Sequence, residues 1–314
     1  LTVKIAKAIR RRVVIRPHPD LLSSENEVND AVSRIMPEEA LIRRIWLDPA
    51  LSEVTIEADD PKSAVGQKGT NIQQLRNEIG WLVNVVRAPA RESRTQTDIR
   101  RFRKELADER KTLLRKFGTR IYRPQRPGPP WVRVTALGSY REVGRAMHLV
   151  TTNESKVLVD CGAKPTNNRS EVQPFFAAPE MLPLDNIDAV VITHAHVDHI
   201  GMLPVLFKYG YKGPVYCTQP TRDLMTLLQM DYIKVAQAEG NDPPYSKSDI
   251  QECIKHVVDI NWGEKTDIAP DIKMTMENAG HILGSSSVYM QIGEGRNEHK
   301  LLSVSYTHLR AHET

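Results

Sequence analysis

An α/β protein is the architecture this sequence predicts, with small α+β units leading into a larger α/β sandwich, and three observations carry that expectation. Residues 53–86 read strand, helix, Gly66-Gln67-Lys68-Gly69, helix, strand. Residues 131–159 read as strands joined by hairpins, whereas from residue 188 apolar runs alternate with helical segments, and hairpins followed by strand–helix alternation indicate a layered sandwich. Between these regions Arg123-Pro124-Gln125-Arg126-Pro127-Gly128-Pro129-Pro130 sustains neither helix nor strand, which sets a boundary near residue 130.

Size and composition agree. The chain of 314 residues is long enough for about two domains. Its 40% apolar and 26% charged residues describe a globular chain with a real core. No apolar run approaches the ~20 residues of a membrane span, and no signal peptide is recognisable, so the expected compartment is the cytoplasm, with no membrane partner. Three cysteines, Cys161, Cys217 and Cys253, are widely spaced without a CxxC pair and read as small buried hydrophobes. The chain begins at Leu1, and the run Ser-Tyr-Thr-His-Leu-Arg-Ala-His-Glu-Thr at its end resembles translated adapter DNA. Residues 303–314 are therefore expected to be a non-native tail on a C-terminally truncated chain.

The elements follow in order. Residues 1–50 carry Val13-Val14-Ile15, a Pro-His-Pro turn and a polar helix around Glu25–Ile35, a small α/β pattern without readable chemistry. In residues 51–90, strand Glu53–Glu57 precedes a short helix Pro61–Val65, the glycine-flanked turn, a helix with Ile72, Leu75 and Ile79 on one face, and strand Trp81–Val86. That order is the minimal K-homology (KH) arrangement. Two glycines let backbone pass close to a phosphate while Lys68 and a helix N-terminus favour the anion, so Gly66, Gln67, Lys68 and Gly69 are candidate contacts to single-stranded RNA. In residues 91–130, positions 95–118 read as one helix, and residues 91–126 hold thirteen Lys or Arg against five Asp or Glu. Either a solvated connector or an RNA-contacting surface fits that bias.

Beyond the Pro-rich stretch, residues 131–302 form the main domain. Strands are expected at Trp131–Leu137, Met147–Thr151, Lys156–Val159, Asp188–Ile192, Val215–Cys217 and Ile272–Met276, with helices at Ile200–Tyr209, Arg222–Ala236 and Lys247–His256.

The chemistry concentrates in His194-Ala195-His196-Val197-Asp198-His199, which follows a buried strand and precedes a helix. The loop at a strand's carboxyl end is where α/β proteins build sites. Three histidines and an aspartate in six residues are costly to bury as a core cluster, and imidazole with carboxylate suits zinc. His194 and His196 can project toward one ion while Asp198 and His199 turn toward a second, and paired ions can stabilise both attacking and leaving oxygens. His281, in the glycine-flanked loop Asn278–Gly284, reads as a further ligand beside that cluster. Asp160, ending strand Lys156–Val159, is the leading carboxylate partner for a ligating histidine. His18, His148, His256 and His299 have no such neighbours and read as structural.

With these residues in view, the sequence resembles the archaeal cleavage and polyadenylation specificity factor family, the KH-containing β-CASP ribonucleases of transcription termination. The resemblance runs over about residues 7–302 and includes the GXXG unit, Gly138-Ser139-Tyr140-Arg141-Glu142-Val143-Gly144-Arg145, Asp160-Cys161-Gly162, the His194–His199 cluster, Tyr209–Cys217 and Ala279–Gly284. It implies KH-like α+β domains followed by a partial metallo-β-lactamase αββα sandwich, with residues 1–50 a first KH-like domain without GXXG. It implies two zinc ions, one on His194, His196 and His281, the other on Asp198 and His199, with Asp198 also the catalytic carboxylate and Asp160 supporting. It further implies zinc-dependent RNA cleavage, endo- and exonucleolytic, in 3′-end processing and termination, association with RNA polymerase, and a homodimer for the full-length protein. The family's bridging aspartate, on the strand that Leu301-Leu302 begins, and its β-CASP histidines do not occur in this sequence, so the chain as it stands is expected to be inactive. Ala146 stands where the family often has serine.

Two other functions stay open on sequence. A small-molecule hydrolase of the same fold would use the same His-x-His-x-Asp-His pattern, which does not itself select phosphate. A non-catalytic RNA-binding protein would need only the GXXG unit and the basic segment.

Overall fold

The computed structural model describes residues 2–9, 15–125, 131–164, 172–295 and 298–304. Val13, Val14, the 126–130 part of the Pro-rich stretch and positions 305–314 of the expected tail lie outside the described residues. The chain divides into two compact units, Leu1–Thr112 and Leu113–Thr314.

The first unit contains α1 (Thr2–Ile9), α2 (Glu25–Ile35), β1 (Ile42–Asp48), β2 (Glu53–Ala58), α3 (Pro61–Val65), α4 (Thr70–Ile79), β3 (Leu82–Arg87) and α5 (Arg94–Glu105). Helix α2 starts where Ser24 and Glu27 form a reciprocal capping box, the Ser24 N–H donating to Glu27 Oε2 at 2.6 Å. Its Val28, Ala31 and Val32 recur at helical spacing and are buried. Strands β1 and β2 pair antiparallel and β2 and β3 parallel, so α3 and α4 form the crossover between the parallel pair.

One apolar core joins α2, α3, α4 and the three strands. Val28, Ala31, Val32 and Ala40 pack with Val54, Ile56, Leu75, Ile79 and Val83 in a single cluster. The domain boundary expected after residue 50 falls instead in the turn between the paired strands β1 and β2, so residues 1–50 and 51–90 are not successive domains. The physical reason is that β1, unread in the sequence, supplies an edge of the same sheet.

The expected single helix over 95–118 is two helices, α5 and α6 (Ala107–Ile121), interrupted at Leu106, whose φ of −96° and ψ of 23° leave the helical region. The basic segment is also less solvated than its composition suggested. Arg103 and Arg110 are buried and reach Asp48, Arg110 Nη1 at 2.8 Å, and Arg100 pairs with Glu57. Lys104 pairs with Glu25 at 2.7 Å, and in the second unit Arg120 and Arg123 both reach the buried Asp188. Buried guanidinium groups need such partners. Carboxylates outside residues 91–126 thus offset part of the local excess, and α5 packs on β1 as a layer of the first unit rather than as a free connector.

The second unit has two sheets. The first runs β4 (Val132–Gly138), β5 (Met147–Thr152), β6 (Lys156–Val159), β7 (Ala189–Val191), β8 (Val215–Cys217) and β9 (Val257–Asp259) in spatial as well as chain order, antiparallel to β6 and parallel beyond it. Helices α7 (Val197–Ile200), α8 (Leu203–Lys208), α9 (Gln219–Ala238) and α10 (Lys247–His256) lie in its crossovers. The helix expected at 200–209 is thus split into α7 and α8 around Gly201-Met202. The second sheet is the antiparallel meander β10 (Thr266–Ala269), β11 (Ile272–Asn278), β12 (Ser286–Ile292) and β13 (His299–Ser303). Ser303 ends a paired strand and does not belong to a tail.

Strand alternation builds the layer between the sheets. Val157, Val159 and Val191 from the first sheet meet Ile272, Met274, Met276, Val288, Met290 and Ile292 from the second. This core brings the carboxyl ends of β6 and β7 beside the β11–β12 turn.

Candidate metal centre

Strand β7 ends at Val191, and the chain then crosses to α7, whose N-cap is His196. That places His194 and His196 on the connecting loop, with Asp198 and His199 in the first helical turn. His281 arrives from the β11–β12 turn, where Gly280 and Gly284 take φ of 68° and 84°, values glycine adopts at little cost. Asp160, just past β6, holds φ of 60°, a conformation that costs energy and that aspartate tolerates better than most residues.

The three histidines predicted to share an ion converge. One ligand nitrogen from each of His194, His196 and His281 lies within 4.8 Å of the others, the only such group of three among the described residues. His196 Nδ1 is 3.1 Å from His194 Nε2 and 3.0 Å from His281 Nε2. A ring nitrogen carries one proton or one lone pair, so it cannot satisfy both neighbours at once. Tetrahedral zinc with Zn–N bonds of about 2.0–2.1 Å would set its nitrogens about 3.3 Å apart, close to the spacings found. The donor set therefore fits zinc.

The pair predicted for a second ion lies alongside. His199 Nε2 faces Asp198 Oδ2 at 3.5 Å, and the His194 and His199 rings are 4.1 Å apart between centroids. Asp160 is buried and supports this side: its Oδ2 lies 2.8 Å from His199 Nδ1, and its Oδ1 accepts the Thr193 N–H at 2.8 Å. The Asp160 contact puts the His199 proton on Nδ1, so that Nε2 presents its lone pair on the side of Asp198. Thr193 Oγ1, bonded to Asp160, also lies 3.0 Å from His194 Nδ1 and leaves His194 Nε2 facing the cluster.

Electrostatics disfavour positive charge on His194 and His281. Burial, then the neighbouring His199, His196 and His281, push His194 down to about 2. Burial and the same kind of repulsion, from His196 and His199, lower His281. Burial also opposes charge on His199, but the charge and hydrogen bond of Asp160, with the charge of Asp198, outweigh it and hold His199 above its ordinary value. Neutral imidazoles offer lone pairs.

Contacts that sequence reasoning missed lock these loops together. A Cβ on Gly162 would sit 1.6 Å from the Asp198 carbonyl oxygen, so only glycine lets the β6 exit pass the ligand helix. The Ala146 N–H donates to that same carbonyl at 2.8 Å, and the Ala146 carbonyl accepts the Gly162 N–H at 3.0 Å. These are backbone bonds, made whatever the side chain at 146. The Ser286 N–H donates to the Thr193 carbonyl at 2.8 Å and ties the His281 turn to the His194 loop. Only the glycine after Asp160-Cys161 was visible in sequence as a signal. His256, by contrast, is structural as expected: buried, its Nδ1 is 2.9 Å from the Gly213 carbonyl oxygen and its Nε2 3.2 Å from Glu252. All three cysteines are buried and outside any disulfide.

The predicted RNA contacts lie in the first unit. Gly66, Lys68 and Gly69 all take positive φ, at 76°, 54° and 79°, and Gly69 caps α4 without any side-chain cap. A Cβ on Gly66 would press on Asn71 and Thr70 at 2.7–2.8 Å, whereas one on Gly69 meets nothing within 4 Å. The second glycine therefore faces open space at the N-terminal end of a ten-residue helix.

Residues 149–312 match the family model of the metallo-beta-lactamase superfamily domain. The transcription termination factor FttA of Methanosarcina mazei is 45% identical over 93% of the chain and 46% of its own length. Its counterpart in Methanocaldococcus jannaschii is 43% identical over 96% of the chain and 47% of its own length, and that of a Lokiarchaeum species 40% identical over 93% and 45%. The chain thus spans about half the length of the curated relatives it matches. Among solved structures, Rm3 metallo-beta-lactamase aligns with a TM-score of 0.36 and 18% identity over 60% of the chain and 64% of its own. Native FEZ-1 metallo-beta-lactamase from Legionella gormanii aligns at 0.37 and 16% over 59% and 69%. On the family-model match, which covers more than half of its residues, the chain belongs to the metallo-β-lactamase superfamily.

Proposed function

We propose that this chain carries the metal-holding and RNA-binding part of a zinc-dependent ribonuclease that acts in transcription termination. The observation that carries the reading is the convergence of His194, His196 and His281 beside the Asp160–His199 pair. The first three would hold one zinc ion, and Asp198 with His199 a second. Zinc, when bound, supplies Lewis acidity toward the oxygens of a phosphodiester and toward water.

The chain's own residues supply orientation. Asp160 fixes the His199 tautomer, Thr193 orients His194, and Asp198, next to His199, is the carboxylate available to a water proton. Gly66, Gln67, Lys68 and Gly69 would take the backbone of single-stranded RNA, because an open glycine at a helix N-terminus admits phosphate. The relatives are named transcription termination factors, which supports RNA and RNA polymerase as partners of the whole protein, with a homodimer its proposed assembly. No described helix is long and apolar enough to cross a membrane, in keeping with a cytoplasmic site of action.

Metal analysis tests the reading. The purified chain is expected to retain about two zinc ions per molecule, one held by three nitrogens, and His194→Ala to lose at least one while RNA binding by the chain is unchanged. Equal zinc content in parent and variant would remove His194 from the site. In a protein of the relatives' full length, the same substitution, or EDTA, should abolish RNA cleavage.

A further inference from the structure

We infer that Thr218 and Thr221 are positioning residues for the metal centre: their hydroxyls clamp the Gly284 carbonyl and thereby set the His281 imidazole for a divalent cation. The inference rests on the metal-binding reading above. Both threonines are buried, Thr221 completely, at the start of α9 just past β8 in the first sheet, whereas Gly284 belongs to the turn of the second. Thr218 Oγ1 donates to the Gly284 carbonyl oxygen at 2.7 Å and Thr221 Oγ1 donates to it at 2.9 Å. A carbonyl oxygen has two lone pairs; these two hydroxyls make the short contacts to it, while the Ser286 hydroxyl reaches it at 3.3 Å.

Helix capping alone does not account for the pair. The Thr221 N–H reaches Thr218 Oγ1 only at 3.4 Å, a long cap, while the contact from that oxygen to Gly284 is short. The fit is also tight. With φ at 84°, a Cβ on Gly284 would lie 2.7 Å from the Thr221 nitrogen and 2.8 Å from each threonine hydroxyl, so the turn is pressed directly onto the helix end.

The clamp reaches His281 through a stiff turn. Ser285 Oγ accepts the N–H groups of His281 at 3.0 Å and Ile282 at 3.1 Å, and the Ser285 N–H donates back to the Ile282 carbonyl at 2.9 Å. Residues 281–285 therefore move as one piece. Anchoring that piece at Gly284 fixes where the His281 backbone stands relative to His196, whose ring nitrogen is 3.0 Å from that of His281. Partners outside the ligand set that orient a ligand commonly govern metal affinity by about tenfold to a hundredfold.

The test uses the whole chain and zinc alone. Thr221→Val removes one hydroxyl at nearly constant volume, and Thr221→Ser restores it. Competition with a chromogenic chelator should give the Val variant a zinc affinity about tenfold to a hundredfold below the parent, and the Ser variant an affinity within about twofold of the parent. Thr221→Ala, which puts no methyl against the carbonyl, should behave as Val does. Unchanged affinity in the Val and Ala variants, or weakened affinity that Ser does not rescue, would overturn the clamp. Failure of both Val and Ala to fold while Ser folds would mark the threonine as purely structural and overturn it equally. A parent chain that binds no zinc would instead sink the metal reading, and the clamp with it.

Discussion

Asp160→Asn changes one oxygen to an amide at nearly constant volume, in a position where every contact of the carboxylate can be followed. In the parent, Asp160 Oδ1 accepts the Thr193 N–H at 2.8 Å, the Thr193 hydroxyl lies 3.1 and 2.9 Å from the two oxygens, and His199 Nδ1 lies 2.8 Å from Oδ2. The backbone N–H can only donate, so asparagine must turn its carbonyl toward Thr193 and its NH2 toward His199. His199 Nδ1 then accepts, its proton sits on Nε2, and the lone pair that faces Asp198 is lost. Replacing charge-assisted bonds by neutral ones should cost about 1–2 kcal/mol of stability, whereas Asp160→Ala, which strands buried donors, should cost about 3–5 kcal/mol. Zinc binding separates the two effects. The Asn variant, still folded by urea titration, should lose the second zinc ion or bind it about tenfold to a hundredfold more weakly, with the ion on His194, His196 and His281 retained. If the Asn variant matched the parent in both stoichiometry and affinity, His199 Nε2 would not be a ligand, and the tautomer argument would fall.

Gly162→Ala should destabilise the chain by about 3 kcal/mol or more and lower its zinc content, because backbone rather than a flexible side chain fills the space its Cβ would need; a melting curve like the parent's would contradict this. His256 has its folded value below the ordinary 6.5, chiefly through burial, so the stability it contributes is present above that value and is lost as pH falls through and below it. His256→Gln, which takes up no proton, should therefore lose less stability than the parent between about pH 7.5 and about pH 5.5 in urea titrations, and equal losses would refute the linkage. Gly69→Asp should weaken single-stranded RNA binding by the chain about tenfold to a hundredfold and make its salt dependence shallower than the parent's, since the added carboxylate faces open space at the α4 N-terminus; unchanged titrations would make the GXXG unit a structural turn.

What could be read in the sequence was local. His194, His196, Asp198 and His199 lie within six residues, and the apolar run before them announced the strand that ends at their loop. His281 was legible only because a glycine-flanked histidine becomes informative once a first cluster is known. Strand β1 was missed since Ile42–Asp48 carries Arg43, Arg44 and Trp46 in place of clean alternation, its arginines being held by Asp59 and by Glu92. That omission misplaced the boundary at residue 50. The charge run at 91–126 misled for a related reason: composition counts Arg103 and Arg110 as surface charge, while folding buries both against Asp48.

Contacts between residues far apart in sequence decide the geometry of the centre, and the two sheets divide that work. The first sheet delivers Asp160 and the His194–His199 loop from the ends of adjacent parallel strands, in register through Val159 and Val191. The second sheet delivers His281 from the turn of an antiparallel hairpin whose register is set by Asn278 opposite Ser286. Polar bonds cross between them near the ligands, the Ser286 N–H to the Thr193 carbonyl and the Thr218 and Thr221 hydroxyls to the Gly284 carbonyl. Behind these bonds the apolar layer of Val159, Val191, Met276 and Val288 fixes the separation of the sheets. A close-packed layer changes spacing when its side chains change volume. The distance between His196 and His281 is therefore a property of the whole sandwich, and no short motif could have encoded it.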